Sequence, residues 1–69
     1  MTEQTIIRQL TLVGIEAEVT ICHAILTVSC GNSRYNAATA IEYIEPLFGP
    51  LVDRVNAPNG IFLFFRKAV

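Results

Sequence analysis

Ile15-Glu16-Ala17-Glu18-Val19-Thr20-Ile21-Cys22-His23-Ala24-Ile25-Leu26-Thr27-Val28-Ser29-Cys30 is the stretch on which the fold turns. Ile15, Ala17, Val19 and Ile21 alternate with Glu16, Glu18 and Thr20, the period of a half-buried strand. After His23 the parity shifts, and Ala24, Leu26, Val28 and Cys30 form the apolar set. A hairpin explains the shift. Setting Ile21 opposite Ala24, Val19 opposite Leu26, Ala17 opposite Val28 and Ile15 opposite Cys30 brings every inward residue against another inward residue. The tip is then Cys22-His23 as a two-residue loop, or Ile21 to Ala24 as a longer one. Neither carries the glycine chemistry of tight hairpins. One long strand bent by a bulge is the rival reading.

Upstream, residues 2–13 fit either a helix or a strand. Ile6, Ile7, Leu10 and Val13 have helical spacing, Thr2 suits a cap and Gly14 the position past a helix end. Thr, Ile, Leu and Val are also frequent enough there for a strand. The helix is the preferred reading.

Downstream, Gly31-Asn32-Ser33 is a turn in which Ser33 or Asn36 caps a helix. Ala37, Ala40, Ile41, Ile44, Leu47, Phe48, Leu51, Val52 and Val55 keep a three-and-four rhythm. Pro46 and Gly49-Pro50 interrupt it. This predicts a kinked helix, about 34–48 and then 50–56. A turn at Ala57-Pro58-Asn59-Gly60 leads to the last strand, Ile61-Phe62-Leu63-Phe64-Phe65. The expected fold is α+β in the order α-β-β-α-β, a single domain over residues 1–69 with a small three-stranded antiparallel sheet. The last strand is placed beside the first, and the helices cover one face.

That last strand raises a question of coverage. Ile61, Leu63 and Phe65 point to one face and Phe62 and Phe64 to the other, beside Glu16, Glu18, Thr20 and Thr27. Of the 69 residues, 52% are hydrophobic and 16% charged, against about 25% charged in a typical domain. A chain this short buries only about 60% of its unfolded surface. The excess apolar surface points to self-association, with Phe62, Phe64, Tyr35 and Tyr43 as the candidate interaction surface. The large amphipathic rings of Tyr35 and Tyr43 suit them as binding anchors or as the rim of the core.

The net charge of -1 argues against nucleic acid as a partner, because phosphate binding needs a surplus of Lys and Arg. Met1-Thr2-Glu3-Gln4 does not read as a secretory leader, and no stretch approaches the roughly 18 apolar residues of a membrane helix. Cys22 and Cys30 are then expected as free thiols in the cytoplasm.

Candidate chemistry is sparse. Cys22 and His23 are adjacent potential metal ligands, but two cysteines and one histidine cannot complete a zinc site within one subunit. Neighbours along a strand point apart, so His23 is poorly placed to activate Cys22 as a nucleophile. Glu16 and Glu18 read as a solvated strand face, Glu42 and Glu45 as the wet side of a helix, and Asp53-Arg54 as ordinary surface. Gly31-Asn32-Ser33-Arg34 lacks the spacing of a phosphate-binding loop. No catalytic residue, metal or cofactor is assigned. The leading expectation is a non-enzymatic interaction module, an adaptor, regulator or inhibitor that self-associates. One alternative is a dimeric nucleic-acid regulator using Arg8, Arg66 and Lys67, which would show steep salt dependence. The other is a metal or small-ligand site at a subunit boundary involving Cys22 and His23.

Overall fold

The computed structural model describes residues 2–68. The elements run α1 (Glu3–Leu12), β1 (Glu18–Cys22), β2 (Ile25–Ser29), α2 (Arg34–Ile44), β3 (Leu51–Ala57) and β4 (Gly60–Arg66). The fold is α+β, with two helices and a four-stranded antiparallel sheet in the order β1-β2-β4-β3.

The segment 2–13 folds as a helix rather than a strand, over Glu3–Leu12 with Thr2 and Val13 as its caps. Thr2 is extended, and its Oγ1 accepts the N–H of Thr5, supplying a partner for one of the free donors of the first turn. The other end closes through Gly14, at φ 81. Its N–H donates to Thr11, and the N–H of Ile15 reaches back to the carbonyl of Leu10. This is the glycine-based C-terminal cap, and its accompanying apolar contact is present because Leu10 and Ile15 are both buried.

The hairpin is confirmed, but its register is corrected. Ile21 lies opposite Leu26 and Val19 opposite Val28, so the strands have slid by two residues from the expected pairing. A slide of two keeps every side chain on its face, and the inward set still meets the inward set. The loop is His23-Ala24 rather than Cys22-His23. His23 supplies the positive φ, 57°, that such a loop requires and that no glycine is present to provide. Strand β1 begins at Glu18, although Ile15 is buried and Ala17 packs on the core.

The second half requires two corrections. Helix α2 starts at the Ser33 cap, whose Oγ accepts the N–H of Asn36, and ends at Ile44 rather than 48. Glu45 makes the last helical bond, to Ile41; Pro46 has no N–H to continue, and Leu47 and Phe48 both fold back on the carbonyl of Ile44. The expected helix 50–56 is instead strand β3, so the sheet has four strands and not three. Leu51, Val52 and Val55 had the spacing of a helical stripe. A bulge between Leu51 and Asp53 breaks the two-residue period, which is why an edge strand mimicked a helix. The last strand does not lie beside the first. β4 sits between β2 and β3, joined to β3 by the two-residue loop Pro58-Asn59.

Both helices pack on one face of the sheet. Ile6 and Leu10 of α1 and Ala37, Ala40 and Ile44 of α2 share one core with Leu26, Val28, Ile61, Leu63 and Phe65. The small Ala37 and Ala40 bring the α2 backbone close to the strands. Gly49 is squeezed against β4, where a Cβ would collide with the carbonyl of Arg66. No described helix is long and apolar enough to cross a membrane.

Candidate functional site: an open sheet face with closed edges

With both helices on one side, the opposite face of the sheet is bare of secondary structure among the described residues. The strand registers arrange it in three rows. Cys22, Ile25 and Arg66 form the first. Thr20, Thr27, Phe64 and Asp53 form the second, and Glu18, Ser29, Phe62 and Val55 the third. Phe62 and Phe64 are half-buried and stand outside the core cluster, so neighbouring strands shield their flanks while no helix covers their rings. Val55, 43% exposed, extends the apolar strip towards the β3 edge, and half-buried Ile25 flanks it on the other side. Charge is confined to the margins, at Glu18, Asp53 and Arg66.

The edges of this sheet differ from its face. A two-residue loop makes Cys22 and Ile25 the closing hydrogen-bonded pair, so Val19 and Ile21 turn their backbone groups to the free edge of β1. The N–H of Ile21 does not stay free: it donates to Glu3 Oε2 at 2.7 Å, a carboxylate carried there by α1. On β3 the closing pair is Ala57 and Gly60, which turns Arg54 and Asn56 outward. Here the N–H of Arg54 donates to Asp53 Oδ1 at 2.8 Å, and that of Leu51, at the strand start, to Glu45 Oε2 at 2.9 Å. Each edge therefore has a carboxylate on a backbone donor that strand addition would use.

The expected interaction residues divide between two surfaces. Phe62 and Phe64 come together on the open face. Tyr35 and Tyr43 lie on α2, in the other layer, and are 79% and 42% exposed. Neither tyrosine belongs to the core rim, and neither joins the phenylalanines. Cys22 is exposed on the open face, while His23 is at the loop tip beyond it. Among the described residues, no group of three His, Cys, Asp or Glu side chains is placed to hold a metal. Cys30 is buried at the end of β2, and burial pushes its thiol pKa up despite the opposing influence of a backbone hydrogen bond and Arg54.

The remaining candidates also have defined positions. Glu16 and Glu18, with Ala17, Ser29 and Gly31, line a shallow open depression of about 430 Å³. Ser33 of the Gly31-Asn32-Ser33-Arg34 turn spends its oxygen on the α2 cap. Arg8 is exposed on the helical layer and Arg66 on the open face, so one subunit does not gather them. Sequence reasoning missed Val55, hidden in a predicted helix, and the roles of Glu3, Glu45 and Asp53. The alternation that put Leu26 inward already placed Ile25 on the open side. Compared with protein-family models, curated proteins and solved structures, the chain finds no match.

Proposed function

We propose that this chain is a small non-enzymatic interaction module of the cytoplasm, which self-associates and acts by occupying the surface of another protein as an adaptor, regulator or inhibitor. The observation that carries this reading is the uncovered sheet face with Phe62 and Phe64 at its centre. A two-layer domain leaves one side of its sheet to solvent, and that side is normally polar. Here two phenylalanines, an isoleucine and a valine interrupt the polar set, and burying their remaining exposed area is worth roughly 1–3 kcal/mol per subunit. The free thiols Cys22 and Cys30 support the reducing compartment.

Size-exclusion chromatography coupled to light scattering tests the reading. The native chain is expected to run above its monomer mass, and the double substitution Phe62→Ser, Phe64→Ser is expected to return it to a monomer that remains folded by circular dichroism. A native chain that is monomeric at every accessible concentration, or a substituted one that keeps the native mass, overturns self-association.

A further inference from the structure

Building on that reading, we infer that the partner on the open face is a second copy of the chain, crossed over it face to face about a twofold axis that runs diagonally from Cys22 to Phe62. Three observations carry the choice of partner. The carboxylates of Glu3 and Asp53 occupy outward donors on β1 and β3, so the edges are poor templates for extending the sheet. The middle of the face is apolar or hydroxylic, which a copy of itself can meet without stranding a charge. The area is adequate: the Cα extents are 31 × 24 × 17 Å, and a two-layer molecule is thinnest across its layers. Its broad side is then of the size that a standard interface takes from each partner, about 800 Å².

Charge selects the orientation. Arg66 and Glu18 stand at opposite corners of the β1–β2–β4 patch. From β1 to β4 is two strand spacings, about 10 Å, and from Glu18 to Cys22 is four residue steps, about 14 Å. The patch is near enough to square for a twofold along its other diagonal to lay each Arg66 over the partner's Glu18. Phe62 then meets its own copy on the axis and Phe64 lies over the partner's Ser29. The two sheets cross near a right angle, an established mode of sheet packing. Asp53 falls on the rim, in solvent.

Sedimentation equilibrium on charge-reversed chains tests the arrangement. Glu18→Arg alone and Arg66→Glu alone each place like charges together twice per dimer, and each is expected to weaken association about tenfold. The double reversal is expected to recover it to within about threefold of native. Amide exchange at Val19 and Asn56, the outward edge donors without a carboxylate, is expected to be as fast in the dimer as in the Phe62→Ser, Phe64→Ser monomer. A native dimer indifferent to the single reversals, or not rescued by the double one, overturns the crossed arrangement and leaves self-association standing. Slowed exchange at Val19 or Asn56 overturns it in favour of edge pairing. A native chain that never dimerises overturns both.

Discussion

Glu3 and Ile21 are eighteen positions apart, yet a carboxylate oxygen of the first is 2.7 Å from the backbone nitrogen of the second. The contact ties the first turn of α1 to the free edge of β1. It gives a charged acceptor to a donor that would otherwise face water or another strand.

Removing that carboxylate should loosen both elements. Glu3→Ala is expected to lower stability by about 1 kcal/mol, read as a shift of the urea midpoint with unchanged slope. Amide exchange at Ile21 should accelerate with it. Unchanged exchange at Ile21 would mean that the bond does not persist in solution.

His23 holds a positive φ that costs a side-chain-bearing residue about 1–2 kcal/mol, and Ala24 does not share it. That sign pattern suits a type II′ loop, whose first position favours glycine. His23→Gly is expected to stabilise the protein by about 0.5–1 kcal/mol after allowance for the greater freedom of glycine in the unfolded chain. His23→Val should destabilise it. Thermal melting of the pair reads both signs.

Gly49 is irreplaceable for a different reason. A Cβ there meets the backbone of Arg66, which belongs to the central strand and cannot give way as a flexible side chain would. Gly49→Ala is expected to cost about 3 kcal/mol, a large part of the stability of a chain this size. At Gly31, φ 74, a Cβ has open space, so Gly31→Ala carries only the backbone strain and should cost about 1 kcal/mol. Denaturant unfolding of the two variants should preserve that order.

The two thiols should react at very different rates. Cys22 is exposed in the single subunit and should be labelled by a disulfide reagent in the folded Phe62→Ser, Phe64→Ser monomer, while Cys30 is buried with a raised pKa and should react only when the chain unfolds. The raised value also sets a pH dependence. The folded state holds the Cys30 proton more tightly than the unfolded state, so this contribution to stability is complete below the ordinary thiol value of 9.0 and is lost as pH rises through the higher folded value. Cys30→Ala should flatten the alkaline limb of a stability–pH curve.

Legibility in the sequence tracked the number of independent signals at each position. The β1–β2 hairpin was readable because two alternating sets had to match, and even a wrong register preserved the faces. Helix α1 was preferred over a strand because Thr2 and Gly14 punctuate it, but the composition of residues 2–13 suited both. The segment 51–57 was not, because a bulge at Val52 and the charges Asp53 and Arg54 gave an edge strand the spacing of a helix. That one error removed a strand, moved β4 from centre to flank and hid Val55. The placement of Phe62 and Phe64 on the face away from the core was nevertheless anticipated, since it depended on parity within a single strand, although neighbouring strands cover more of each ring than a bare face would. The carboxylate plugs were beyond sequence reasoning: nothing local to Glu3 points to Ile21, and only the packing of α1 beside β1 brings them together.

The position of β4 between β2 and β3 also bears on how the nascent chain folds. A ribosome releases β1, β2, α2 and β3 in turn, but β2 and β3 do not pair with each other and are linked only when the segment ending at Arg66 emerges to bond to both. The sheet is thus closed by a keystone translated after the pieces it joins: β4 finds β3 across a two-residue loop, but its other partner, β2, must be recruited from beyond α2.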